Sequence, residues 1–320
     1  MTRRFGLCTA AAALLLAASA PAEPGAANRL EIPTGEGRFV FRDPEGNPDR
    51  PIVVHTYRPA SFTPDSPLLF AMHGMSRNAV SARAAWIDYA DRRGILVLAP
   101  EFSKKHYPHG AMYNRGNMTG LFGRLPEAEW TYTAIERIFD AVRRATGSRR
   151  ARYLIFGHSA GGQFVHRLVL FKPQARIELA FAANAGWYAM PTFEVSYPYG
   201  LGHSVATPET LTKTFGQPLV LLLGDRDTDP NAANLNNSHG ARKQGPHRFA
   251  RGQAFYTTAS EEALRLGVAL QWRVQTVPGV GHSSSGTSRA AQELLEHHFQ
   301  RQGASTLEVK GAAGFTPSRS

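Results

Sequence analysis

The 320-residue sequence contains a single cysteine, Cys8. With no second thiol there is no intrachain disulfide, and a cysteine-built zinc or dithiol redox centre is excluded. Beyond the N-terminus no stretch is long and apolar enough to span a bilayer, which takes about 20 apolar residues. Histidines in the His-x-x-x-His or His-Glu-x-x-His spacing are absent. The acidic alternation Asp225-Arg226-Asp227-Thr228-Asp229 meets Pro230 and Asn236 where a calcium loop needs Gly and Glu. No metal and no other cofactor is expected. Acidic side chains are the scarcer charge, 25 against 36 basic, which leaves a formal net charge of +11. Such a balance permits anionic partners, but no nucleic-acid-binding motif accompanies it, so no nucleic-acid partner is expected.

What is present is an ordinary globular composition, 42% hydrophobic and 19% charged, which excludes collagen-like, coiled-coil and wholly disordered chains. Arg3 and Arg4 precede an apolar stretch from Leu7 to Ala20, followed by the small residues Ala20-Pro21-Ala22. That order is the pattern of a secretory signal peptide, expected over 1–22, and it implies a secreted or periplasmic protein that loses Cys8 on cleavage. A catalytic domain is expected over 23–302. The C-terminal 303–320, rich in Gly, Ala, Ser and basic residues, reads as a disordered tail.

Between these ends the pattern alternates. Strands are expected at Ile52–Tyr57, Leu68–Met72, Ile95–Ala99 (stopped by Pro100), Tyr153–Phe156, Leu179–Ala183, Leu219–Leu223 and Gln271–Val277. Helical spacing runs through Ala79–Arg93, Glu129–Thr146, Gln163–Phe171, Gly252–Leu266 and Ser288–Gln300. Short, continuously apolar strands separated by helices predict a doubly wound, mostly parallel α/β sheet with helices on both faces. The segment 187–217, broken by Pro, Tyr and Gly, is a possible lid insertion over the sheet's carboxyl edge, where open α/β sheets bind ligands.

The chemistry concentrates on that edge. Gly157-His158-Ser159-Ala160-Gly161 follows a strand and opens a helix, the strand–turn–helix setting in which Gly-x-Ser-x-Gly presents a serine on a strained turn. A serine hydroxyl needs a base, and the base an orienting carboxylate. Later strands end at Gly224-Asp225-Arg226-Asp227 and at Gly279-Val280-Gly281-His282, so His282 is the candidate base and Asp225, Asp227 or Asp229 the candidate acid. The loop His73-Gly74-Met75 after an earlier strand supplies one oxyanion donor, the Met75 amide. The residue after the serine, Ala160, supplies the other.

With these parts in order, the chain resembles the α/β-hydrolase family over roughly residues 52–301. It is most similar to the secreted esterase and polyester (polyhydroxyalkanoate) depolymerase branch, which shares the His-Gly motif and the Ser-Ala-Gly-Gly elbow. The resemblance implies an α/β-hydrolase fold and a carboxylesterase-like or depolymerase-like enzyme that cleaves a small-molecule or polymeric ester through an acyl-enzyme. It implies the catalytic set Ser159, Asp227 and His282, with Asp227 matching the family's Gly-x-x-Asp turn. A peptidase or amidase on the same residues, or a catalytically silent binding module, are the alternatives. Trp187 and Tyr188 are candidates to line a substrate pocket. Arg248, in the basic stretch 239–251, is a candidate to attract an anionic substrate. His73 and His158 read as structural.

Overall fold

The computed structural model describes residues 30–312. The expected signal segment lies outside them. In chain order the strands are β1 Gly35–Phe41, β2 Ile52–Arg58, β3 Leu68–Met72, β4 Leu96–Glu101, the short pair β5 Thr119–Gly120 and β6 Gly123–Arg124, then β7 Tyr153–His158, β8 Ile177–Ala183, β9 Leu219–Gly224 and β10 Arg273–Val277. The helices are α1 Ala79–Ala84, α2 Ile87–Arg93, α3 Thr131–Thr146, α4 Ala160–Phe171, α5 Pro208–Phe215, α6 His239–Arg242, α7 Arg248–Leu266 and α8 Ser284–Ala312.

Eight strands form one sheet in the order β1-β2-β4-β3-β7-β8-β9-β10. β1 and β2 pair antiparallel, as do β2 and β4; from β4 onward every pairing is parallel. Because side chains alternate along a strand, each apolar run feeds two cores. Leu68, Phe70 and Met72 face one side with Phe164, Leu168 and Phe255 of α4 and α7. Leu69 and Ala71 face the other with Trp86, Tyr89, Ala291 and Leu295. Burial of both faces explains why the central strands read as unbroken apolar runs.

Local signals explain most boundaries. α3 ends at Gly147, whose φ of 67° is the left-handed value that glycine adopts without strain. α7 begins four residues before Gly252, because the His247 side chain accepts the Ala250 amide at 3.2 Å and caps it. Three expectations need correction, and one strand was not expected at all. The single helix over Ala79–Arg93 is two, broken at Ala85–Trp86, where Trp86 turns inward against Phe156 with ring centroids 5.2 Å apart. β4 does not stop at Pro100 but runs to Glu101. Pro100 lies beyond the last β3 partner, Leu98, so its missing N–H costs no bond on that side. β1, unexpected from sequence, is an edge strand with a half-buried alternation. Finally, α8 continues to Ala312, into the stretch read as a disordered tail.

Candidate active site

β7 delivers Ser159 at its carboxyl end, and α4 begins at the next residue. Ser159 has φ 58° and ψ −116°, a conformation that costs a non-glycine residue strain and that the surroundings must hold in place. They do so through tight packing of the flanking glycines. A Cβ on Gly161 would lie 2.4 Å from the Met72 carbonyl oxygen, and one on Gly157 would lie 2.3 Å from the Gly161 backbone. The Ser159 amide donates to the Ala183 carbonyl at 2.9 Å, which ties the turn to β8. Ser159 occupies a helix cap position, yet its hydroxyl makes no capping bond and points instead to His282.

His282 Nε2 lies 3.1 Å from Ser159 Oγ, and Nδ1 lies 2.7 Å from Asp227 Oδ2. A carboxylate can only accept, so Nδ1–H donates to Asp227 and Nε2 is left to accept from the serine hydroxyl. The three candidate acids separate by their partners. Asp225 Oδ1 accepts the Gly279 amide at 2.8 Å, and Asp229 Oδ1 accepts the Asn231 amide at 2.8 Å. Asp227 alone of the three meets His282, and it is buried.

The structure changes the part expected of Arg248. Its guanidinium is buried, donates to Asp227 Oδ1 at 3.2 Å and to Asn234 Oδ1 at 2.5 Å, and does not face substrate space. Asp227 is thereby held by Arg248 on one oxygen and His282 on the other. Arg251 is buried too, donating to the carbonyls of Gly186, Asn236 and Gly245. Both arginines are interior braces, and Arg248 is not a steering charge.

Asn184 is a site residue that the sequence reading missed. It follows β8 with φ 42°, donates through Nδ2 to the Gly281 carbonyl at 2.9 Å, and accepts the Gly224 amide on Oδ1 at 2.8 Å. One side chain therefore ties the end of β9, which leads to Asp227, to the residue before His282. The only sequence signal is an Asn directly after a strand, a residue that tolerates left-handed backbone.

Burial keeps His73 and His158 neutral. Burial pulls His73 down to about 4; its Nδ1–H donates to the Gly74 carbonyl at 2.9 Å and its Nε2 accepts the Phe102 amide at 3.1 Å. It shapes the loop that carries Met75. Burial, followed by the adjacent His282, pulls His158 down to about 3; its ring packs on His282 with centroids 4.5 Å apart.

A cavity of about 750 Å³ opens at Ser159 and His282, within the usual range for small-molecule sites. Met75 lines it, and Ala160 is the first residue of α4, whose N–H has no acceptor within the helix. Trp187 forms part of the wall with Tyr199, their rings 4.9 Å apart, so the segment 187–217 contributes to the cavity. Tyr188 does not. It is fully buried on the other side of the backbone and stacks on Phe255 at 4.7 Å. Of this adjacent pair only Trp187 faces the cavity. Among the described residues no group of three or more His, Cys, Asp or Glu is placed to hold a metal, and no helix is long and apolar enough to cross a membrane.

No family model matches the chain. Among solved structures it is similar to poly(aspartic acid) hydrolase-1 from Sphingomonas sp. KT-1, with 42% identity and a TM-score of 0.80 over 82% of this chain and 99% of that one. It is also similar to LpqC, a poly(3-hydroxybutyrate) depolymerase from Bordetella parapertussis, with 37% identity and a TM-score of 0.78 over 82% of this chain and 90% of that one. A bifunctional acetylxylan esterase/xylanase from Neocallimastix patriciarum is 27% identical over 152 residues; the match takes in 44% of this chain and spans only 20% of that protein. The chain belongs to the α/β-hydrolase family of esterases and depolymerases, and it is a hydrolytic enzyme.

Proposed function

We propose that the protein is a serine hydrolase that cleaves an ester through an acyl-enzyme, with Ser159 as nucleophile, His282 as base and Asp227 as the orienting acid. The observation that carries this reading is the continuous hydrogen-bond chain from Asp227 through His282 to Ser159, ending in a cavity. His282 Nε2 takes the hydroxyl proton as Ser159 Oγ attacks the carbonyl carbon. Asp227 keeps Nδ1 protonated and stabilises the imidazolium that forms. The Met75 and Ala160 amides receive the negative charge that develops on the carbonyl oxygen. His282 then protonates the leaving alcohol, activates water and regenerates the serine. The N-terminal pattern over 1–22 supports export, which makes a polymer too large to enter a cell an accessible substrate.

A second reading, amide hydrolysis on the same residues, draws on the similarity to a poly(aspartic acid) hydrolase, since that polymer is joined by amide bonds. Matched ester and anilide substrates of one acyl group separate the two. The ester reading expects the ester to turn over and the anilide to be at least about a hundred times slower, with Ser159→Ala inactive on both; comparable rates would favour the amide reading.

A further inference from the structure

We infer that the cavity beside Ser159 selects a substrate that carries a free carboxylate, and that Arg115 is the residue that binds it. The inference rests on the hydrolytic reading of this same cavity and goes beyond it to the charge of the substrate.

The observations concern charges without partners. Arg137, Arg176 and Arg248 each face a carboxylate. Arg115 does not. It is half-buried in the cavity wall, and among the described residues its guanidinium has neither a carboxylate nor a hydrogen-bond acceptor. No Asp or Glu lines the cavity. Arg115 thus offers a fork of donors beside the serine with nothing in the protein to receive them.

Arg167 adds to the same field. It is fully buried on α4, with one bond, from Nη1 to the Gln163 carbonyl at 3.1 Å, while Nε and Nη2 have no partner. Its guanidinium lies 4.2 Å from the centre of the Trp187 ring, behind the cavity wall. Burial pulls its pKa down to about 10, and the positive charge of Arg115 pulls in the same direction. Burying a charge without a counter-charge is costly, and among the described residues no carboxylate faces Arg167. A bound carboxylate at Arg115 relieves it. Gln163 supplies the geometry for the anion's second contact. Its Oε1 is taken by Asn114 Nδ2 at 2.7 Å, which turns its amide N–H₂ toward the cavity with no protein acceptor among the described residues. Two planar donor groups, one charged, suit the two oxygens of a carboxylate.

The test is a series of paired esters followed by pH-stat titration. Monoethyl succinate, glutarate and adipate carry the carboxylate at increasing distance from the scissile carbonyl; ethyl butyrate, valerate and hexanoate are their neutral partners. At one chain length kcat/KM is expected to favour the anionic ester, and the preference should weaken as salt is added. Arg115→Met should cut that preference about tenfold, through KM, and Arg115→Lys should keep part of it. Turnover of the neutral esters with no anionic preference at any length would overturn the inference and leave the hydrolytic reading standing. So would a preference that Arg115→Met does not change. Failure of both series to react would remove the ester reading, and the inference with it.

Discussion

Asp227 carries two loads at once. It accepts from His282 Nδ1 and pairs with Arg248, and both contacts are buried or nearly so. An Asp227→Asn substitution should therefore cost more than turnover. Loss of the correct imidazole orientation lowers kcat by about 10⁴. The unpaired Arg248 should in addition destabilise the fold by about 3 kcal/mol, readable in chemical denaturation. Arg248→Met should show the same stability loss from the other side of the pair. Asp225→Asn should do much less to turnover, because Asp225 only holds the Gly279 amide. If Asp225→Asn were the more damaging change, the acid would be misassigned.

At the scale of elements, the segment from β7 through Ser159 into α4 works because three strands and a helix approach without side chains between them. Gly161 sits against the Met72 carbonyl, and Gly162 against Ala183, where an added Cβ would come within 2.6 Å of the oxygen. Gly161→Ala should push α4 away from β3 and spoil the position of both Ser159 and the Met75 loop. The expected result is a Tm lowered by several degrees together with a fall in turnover of at least tenfold, and an unchanged Tm would contradict the packing argument. This segment was legible in the sequence because its geometry is local: strand, glycines, serine and helix follow one another directly. His282 was legible from its place shortly past the strand end at Val277, behind Gly279-Val280-Gly281. Which side chains face the cavity was not. Tyr188 is turned inward by stacking on Phe255 of α7, and Arg248, the first residue of α7, by its contact with Asp227, so composition alone could not distinguish a cavity wall from an interior brace. Asn184 escaped because its importance lies in two backbone groups far away in sequence. β1 escaped because an edge strand needs no continuous apolar run.

Over the whole molecule, burial sets two imidazoles apart. His73 and His158 are held neutral by burial, down to about 4 and about 3, so neither titrates between pH 7 and 5. Labelled histidine resonances for these two should stay in their neutral positions over that range; movement of either would contradict the burial argument. The linkage has a definite sign. A histidine whose folded pKa lies below its unfolded value takes up protons more readily when unfolded, so its contribution is intact above about 6.5 and is lost as pH falls toward 4. For His73, almost completely buried, this loss is on the order of 3 kcal/mol. Tm should therefore fall between pH 6.5 and 4.5. Glu178 is pushed up by burial but held down to about 2 by hydrogen bonds from His298 and Arg150, so its contribution is lost only as pH falls below about 4.5, under most of that window. Whether Ser159 is activated is read from intact-mass measurement of the folded protein after treatment with a fluorophosphonate. A single adduct is expected, mapped to Ser159 and absent from Ser159→Ala. A folded protein that takes up no label, or one labelled elsewhere with Ser159 free, would contradict that activation.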